Sequence, residues 1–176
     1  AVLQYTGGTT GVSKGAMLSH GNIVANMQQA GVLFSTYDFR EGEETLLLPL
    51  PLYHIYAFNA CLGMLARGGH TVLVPNPRDL KSLVAAFRNS GCTGFAGLNT
   101  LFVALCNDAD FRAVDFSRLK LTMSGGMALT MAAAGRWKEV TGVEIVEGYG
   151  MSETSPVISV NPVNANRLGT IGIAVP

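Results

Sequence analysis

The stretch "LKLTMSGGMALTMAAAGRWKEVTGVEIVEGYG", residues 119–150, decides how the chain folds. Its first eight residues read as a strand ending in paired glycines. Residues 130–140 read as a helix opened by Thr130, and "VEIVEGYG" (143–150) as a second strand. Strand, helix and strand in succession argue for parallel pairing.

The same alternation continues toward the N-terminus. Ser19 is placed to cap a helix over about 21–33, with Ile23, Met27 and Ala30 on one face. "TLLLPLPLYH" (45–54) is a short apolar run suited to a strand buried on both faces. A helix over 56–66 leads to a strand in "HTVLV" (70–74). Asp79 caps a helix whose Leu80, Leu83, Val84 and Phe87 recur at helical spacing. "TGFAG" (93–97) gives another strand, and 101–107 another helix. "VEIVEGYG" is the last strand this reading expects. The fold class is therefore α/β, a largely parallel β-sheet flanked by helices, with residues 1–176 forming a single unit without repeat or linker.

In such sheets ligands gather beyond the carboxyl ends of the strands. Three chemically loaded loops follow strands directly, at 6–15, 124–128 and 148–154, and are expected to converge. The first lies in "YTGGTTGVSKG" (5–15), which offers four glycines, four hydroxyls and Lys14. Glycines let backbone N–H groups approach phosphate oxygens, while hydroxyls and an ammonium add donors and charge. The spacing fits neither G-x-x-x-x-G-K-[ST] nor G-x-G-x-x-G, and the flanks read as strand–loop–strand. "EGYGMSET" (147–154) adds an aromatic ring to stack on a base, a hydroxyl in Ser152, and a carboxylate in Glu153 suited to Mg²⁺. "SGGMAL" (124–129) alone is a weak signal. His54, in an apolar setting, reads by itself as a structural histidine, as do His20 and His70.

Composition narrows the classes. Twelve basic residues balance twelve acidic ones, so no electrostatic footprint for nucleic acid exists. Apolar residues make up 48%, enough for a substantial core. Charged residues make up 14%, against a usual value of about 25%, which suggests surfaces covered in a longer parent. Cys61, Cys92 and Cys106 are odd in number and widely spaced, matching neither a disulfide framework nor a zinc site and suiting a reducing cytoplasm. No apolar run is long enough to span a bilayer.

Together "YTGGTTGVSKG", "PLPLYHIYA" (49–57), "GLNTLF" (97–102), "SGGMAL" and "EGYGMSET", in this order, resemble the acyl-adenylate-forming enzymes. Within that superfamily the likeness is greatest to bacterial long-chain fatty-acid–CoA ligases. The resemblance implies a central piece of the large N-terminal domain. A ribose-binding aspartate motif, a hinge and a small C-terminal domain with its catalytic lysine are expected beyond Pro176. A fragment of this kind is expected to be inactive alone.

The implied partners are ATP, CoA and a fatty acid, with Mg²⁺ as cofactor, and the implied setting is the cytoplasm. The resemblance leaves room for peripheral contact of the parent with the inner membrane and for a homodimer. It places Thr6, Gly7, Gly8, Thr9, Thr10, Gly11 and Lys14 on the ATP phosphates, and Thr6 with Glu153 on the metal. Tyr149 would stack on adenine, with Gly126, Glu147 and Gly148 around the base and Ser152 near the α-phosphate. His54, Gly126 and Gly150 would border the acyl group, which reverses the structural reading of His54. Lys14, Glu153 and His54 would be the catalytic set.

Two positions depart from the family pattern: Ser13 and Ala128 stand where proline is usual. Residues 49–65 hold no acidic side chain to pair a substrate ammonium, which disfavours an amino acid. An aryl acid, or a nucleotide-binding module without chemistry, remain the alternatives.

Overall fold

The computed structural model of the chain describes residues 1–6, 13–34 (main chain only at 33 and 34) and 38–176. A hairpin pairs β1 (Val2–Thr6) with β2 (Lys14–Leu18) antiparallel, and sets Thr6 opposite Lys14. The expected strand–loop–strand holds at its flanks. The loop's centre, with Gly7, Gly8, Thr9, Thr10 and Gly11, lies outside the described residues. Ser19 ends the hairpin and caps α1 (His20–Phe34), its Oγ accepting from the Asn22 N–H at 3.0 Å.

The main sheet contains β3 (Thr45–Leu48), β4 (His70–Leu73), β5 (Gly94–Gly97), β6 (Leu121–Ser124), β7 (Ile145–Gly150), β8 (Val157–Val160) and β9 (Ile173–Ala174). Its spatial order is β4-β3-β5-β6-β7-β8-β9. The first five strands are parallel and the last two antiparallel. Helices α2 (Ile55–Leu65), α3 (Leu80–Ser90), α4 (Asn99–Asn107), α5 (Ala109–Arg112) and α6 (Met131–Thr141) lie between the parallel strands.

The caps follow the sequence. Asp79 Oδ1 accepts from the Ser82 N–H at 3.2 Å, and Thr130 Oγ1 from the Ala133 N–H at 3.3 Å. Gly91 and Gly142, at φ 57° and 76°, end α3 and α6 in the left-handed conformation.

Two expectations are corrected. The strand in "TLLLPLPLYH" stops at Leu48, because Pro49 and Pro51 have no N–H for a ladder and the chain turns there. "VEIVEGYG" is not the last strand: β8 and β9 extend the sheet, four and two residues long.

The pleat assigns the two faces opposite contents. Val72, Leu47, Phe95, Thr122 and Ile145 lie side by side across the sheet. On that face Trp137 stacks on Phe95 at 5.4 Å and donates from Nε1 to Thr122 Oγ1 at 3.1 Å. Phe87, Phe102 and Phe111 complete this aromatic core. On the other face Leu46, Leu48, Ala96 and Met123 meet α2. That second face holds the cavity described next.

Candidate active site

Ser124 and Glu147 are register partners on β6 and β7, so the loops after both strands leave the sheet at the same edge. Residues Ser152–Thr154 form a 3-10 turn there, and both strands of the N-terminal hairpin pack against it. Gln4 Nε2 also donates to the Tyr53 carbonyl at 2.8 Å, which ties the hairpin to the segment before His54. The loops after β6 and β7 thus meet at one edge, with the described flanks of the first loop packed beside them; the centre of that loop lies outside the described residues. Thr6 and Lys14 stand on the hairpin ends nearest the undescribed loop.

A cavity of about 340 Å³ opens at this edge and runs between the sheet, α1 and α2. His54, Gly126, Tyr149, Gly150 and Ser152 are among its lining residues. Met27, Ala30, Ala60, Met64, Met123 and Val160 give its walls an apolar character. Small side chains at 30, 60 and 63 leave this space open along the two helices.

His54 is the N-cap of α2. Its Nδ1 accepts from the Tyr56 N–H at 3.3 Å, which leaves Nε2 to carry the proton of the neutral ring. The ring faces Gly126: a Cβ built there would lie 3.9 Å from His54 Cε1. Gly126 has φ 82°, a conformation that favours glycine. A donor beside exposed main chain at the mouth of an apolar chamber is suited to a carboxylate whose tail fills the chamber.

Tyr56 was not anticipated from the sequence. Its ring lies where a side chain at Gly125 would meet it at 3.4 Å, and its hydroxyl donates to the Met123 carbonyl at 3.3 Å. Burial pushes the phenol well above its ordinary value, so it stays neutral and structural. Ser124 Oγ is buried without a hydrogen-bond partner among the described residues.

On β7, Glu147 does not point a free carboxylate at the site: its Oε2 accepts from the Gly169 N–H at 2.7 Å and anchors the following loop. Gly148 and Tyr149 both line the cavity, Tyr149 with 43% of its surface exposed and free to stack. Gly150 is a glycine for a reason internal to the protein, since a Cβ there would overlap the Pro156 carbonyl. Thr154 closes the turn, accepting from the Met151 N–H at 3.1 Å and donating to the Pro156 carbonyl at 2.6 Å. This leaves Ser152 at the cavity and Glu153 exposed.

Among the described residues no three His, Cys, Asp or Glu side chains gather to hold a metal. Glu153 and the Thr6 hydroxyl suit a Mg²⁺ that draws most of its ligands from phosphate and water. The three cysteines are unpaired, and burial pushes the Cys92 and Cys106 thiols up, away from reactivity. No helix among the described residues is long and apolar enough to cross a membrane.

The whole chain, residues 1–176, matches the family described as AMP-binding enzyme. It is 47% identical to the long-chain-fatty-acid–CoA ligase of Haemophilus influenzae over 179 residues, covering 100% of this chain and 32% of that protein. It is 44% identical to the enzyme of the same name from Escherichia coli O6:H1, with the same coverage. Among solved structures, the anthranilate CoA ligase AuaEII in complex with anthranoyl-AMP matches with a TM-score of 0.88 at 29% identity, over 98% of this chain and 33% of that one. The chain thus spans about a third of the length of the curated relatives it matches.

Proposed function

The chain belongs to the AMP-binding enzyme family, and from that premise we propose that it forms the acid-activating part of an ATP-dependent long-chain fatty-acid–CoA ligase. The observation that carries the proposal is the apolar chamber opening between His54 and Gly126, beside the Tyr149–Ser152 segment. An alkyl chain gains free energy by leaving water for such walls, and its carboxylate then sits where the nucleotide is expected.

In the first step a carboxylate oxygen attacks the α-phosphorus of ATP, the bond to the bridging oxygen breaks, and pyrophosphate leaves. The chemistry brings two anions together, so it needs donors fixed before reaction. His54 Nε2 donates to the carboxylate and holds it at the chamber mouth. Ser152 donates to the α-phosphate, and Tyr149 stacks on the adenine. Lys14 and the loop after Thr6 take the outer phosphates. Mg²⁺, held by Glu153 and Thr6, would neutralise charge on the phosphates. In the second step the CoA thiol gives its proton to solvent, its sulfur attacks the acyl carbonyl, and the bond to the AMP oxygen breaks so that AMP leaves with the electron pair, giving the thioester.

A second reading, activation of an aryl acid, is favoured by the likeness to the anthranilate CoA ligase. Carboxylate-dependent ATP–pyrophosphate exchange on the full-length protein separates the two. Exchange driven by long-chain acids and not by aromatic ones supports the first reading. Exchange driven by aromatic acids alone replaces it, and exchange with neither removes the ligase reading.

A further inference from the structure

Two buried carboxamides, on two different helices, end on the same short piece of backbone. Asn26 of α1, 4% exposed, donates from Nδ2 to the Val157 carbonyl at 2.8 Å and accepts from the Val157 N–H at 3.0 Å. Asn59 of α2, 7% exposed, donates from Nδ2 to the Ser155 carbonyl at 3.1 Å. Between those residues stands Pro156, whose carbonyl accepts from the Met151 N–H at 3.1 Å and from the Thr154 hydroxyl. Residues 155–157 are therefore fastened to α1 and α2 on one side, and on the other they fasten the turn carrying Ser152 and Glu153.

The segment does not hold itself in this shape. Ser155 has φ 72°, a conformation costing a non-glycine residue about 1–2 kcal/mol, which persists only where the surroundings determine it. Apolar packing at 26 and 59 would stabilise the helices without fixing a backbone direction. A buried carboxamide has to be desolvated and requires partners, and in return fixes donor and acceptor positions. Neighbouring residues on the same two helices, Met27 and Ala30 on α1, Tyr56 and Ala60 on α2, line the acyl chamber. The helices that shape the chamber thus also hold the turn on the nucleotide side.

We propose that Asn26 and Asn59 are positioning residues, which set the place of Ser152 and Glu153 relative to the α-phosphate of ATP. The proposal deepens the ligase reading and rests on it for the role of that turn. Neither residue touches the reacting atoms.

The test uses the full-length protein with Asn26→Ala and, separately, Asn59→Leu, which keeps a branched side chain and removes the whole carboxamide. Two quantities are read: the Kd for ATP by calorimetric titration, and KM against kcat for ATP and for the acid. In both variants kcat/KM for ATP should fall by roughly ten- to a hundred-fold, as for groups displaced by about an ångström, with a rise in Kd for ATP; in Asn26→Ala, at a residue that does not line the chamber, the KM for the acid stays within about two-fold. A lower melting temperature with kcat/KM and Kd for ATP both unchanged would mark a purely structural role and overturn the proposal. So would, in Asn26→Ala, an acid KM that rises as steeply as kcat/KM for ATP falls. If Asn26→Ala does not accumulate folded, Asn59→Leu decides alone on kcat/KM and Kd for ATP. A wild-type protein that binds ATP yet exchanges with no acid overturns the ligase reading, and the ATP affinities still judge the positioning.

Discussion

The imidazole of His54 faces the main chain of Gly126, with Cε1 3.9 Å from where a Cβ on that glycine would sit. His54 caps α2 through Nδ1, and on the proposed function it has a second, separable duty, presenting Nε2 to a carboxylate. His54→Asn keeps a good cap and removes the imidazole. We expect little change in thermal stability, and a loss in kcat/KM for the acid of roughly ten- to a hundred-fold, the worth of one hydrogen bond to a charged group. His54→Ala should lose that and also about 1 kcal/mol of stability through the missing cap. Denaturation curves beside exchange kinetics separate the two effects.

Glu153 stands exposed on its turn, and its substitution should leave the fold untouched. For Glu153→Ala we expect unfolding free energy within about 0.5 kcal/mol of the parent. Exchange should fall on the order of a hundred-fold or more, through lost electrostatic stabilisation. Unaltered Mg²⁺-dependent turnover would show that this carboxylate has no part in the chemistry.

Gly150 is the tightest point of the site. Gly150→Ala puts a methyl group into the Pro156 carbonyl, so the 151–157 segment has to move. Overpacking of this kind costs typically about 1–3 kcal/mol. Reduced ATP affinity should accompany the lower melting temperature, because the displaced segment is the one bearing Ser152. Full ATP affinity in this variant would show that the segment's position is immaterial.

Glu44, another residue lining the cavity, forms an ion pair with Lys120 at 2.8 Å and is 5% exposed. Burial pushes the Glu44 carboxyl up, but hydrogen bonds from Lys120, Thr93 and the Arg40 N–H outweigh it and hold the net value below the ordinary 4.5. The folded state therefore favours the ionised form. Its contribution is complete above the ordinary value and fades as pH falls through the lower folded one. Glu44→Gln should lower stability at neutral pH by about 1–2 kcal/mol and flatten the loss on acidification. Denaturant midpoints at a series of pH values from neutral downward would check both.

Much of this architecture is legible in the residues. Asp79 and Ser19 cap the helices they were expected to cap, because a short polar side chain before an apolar periodic run has few other uses. The glycine-rich strand ends at 125–126 and 148–150 marked the edge where the cavity opens. What escaped reading is what depends on contacts distant in sequence. Asn26 meets Val157 across 131 positions and Asn59 meets Ser155 across 96, so neither stands out locally. Tyr56 opens the helix expected over 56–66, and nothing local marks its ring as the neighbour of Gly125. β8 and β9 are too short, and too interrupted by proline and glycine, for their alternation to register. Gly150 lines the cavity, and a Cβ there would also overlap the protein's own Pro156 carbonyl, a contact six residues on that no local pattern shows.

The alternation of side chains across β3, β5, β6 and β7 has an evolutionary consequence. Positions 47, 95, 122 and 145 belong to the aromatic core, while 46, 96, 123 and 146 lie toward the chamber. Adjacent codons on one strand thus answer to different selection. A lineage can resize the chamber by changing residues on one face of the sheet while the other face keeps the protein folded. One sheet can in this way serve acids of very different bulk without being reinvented for each.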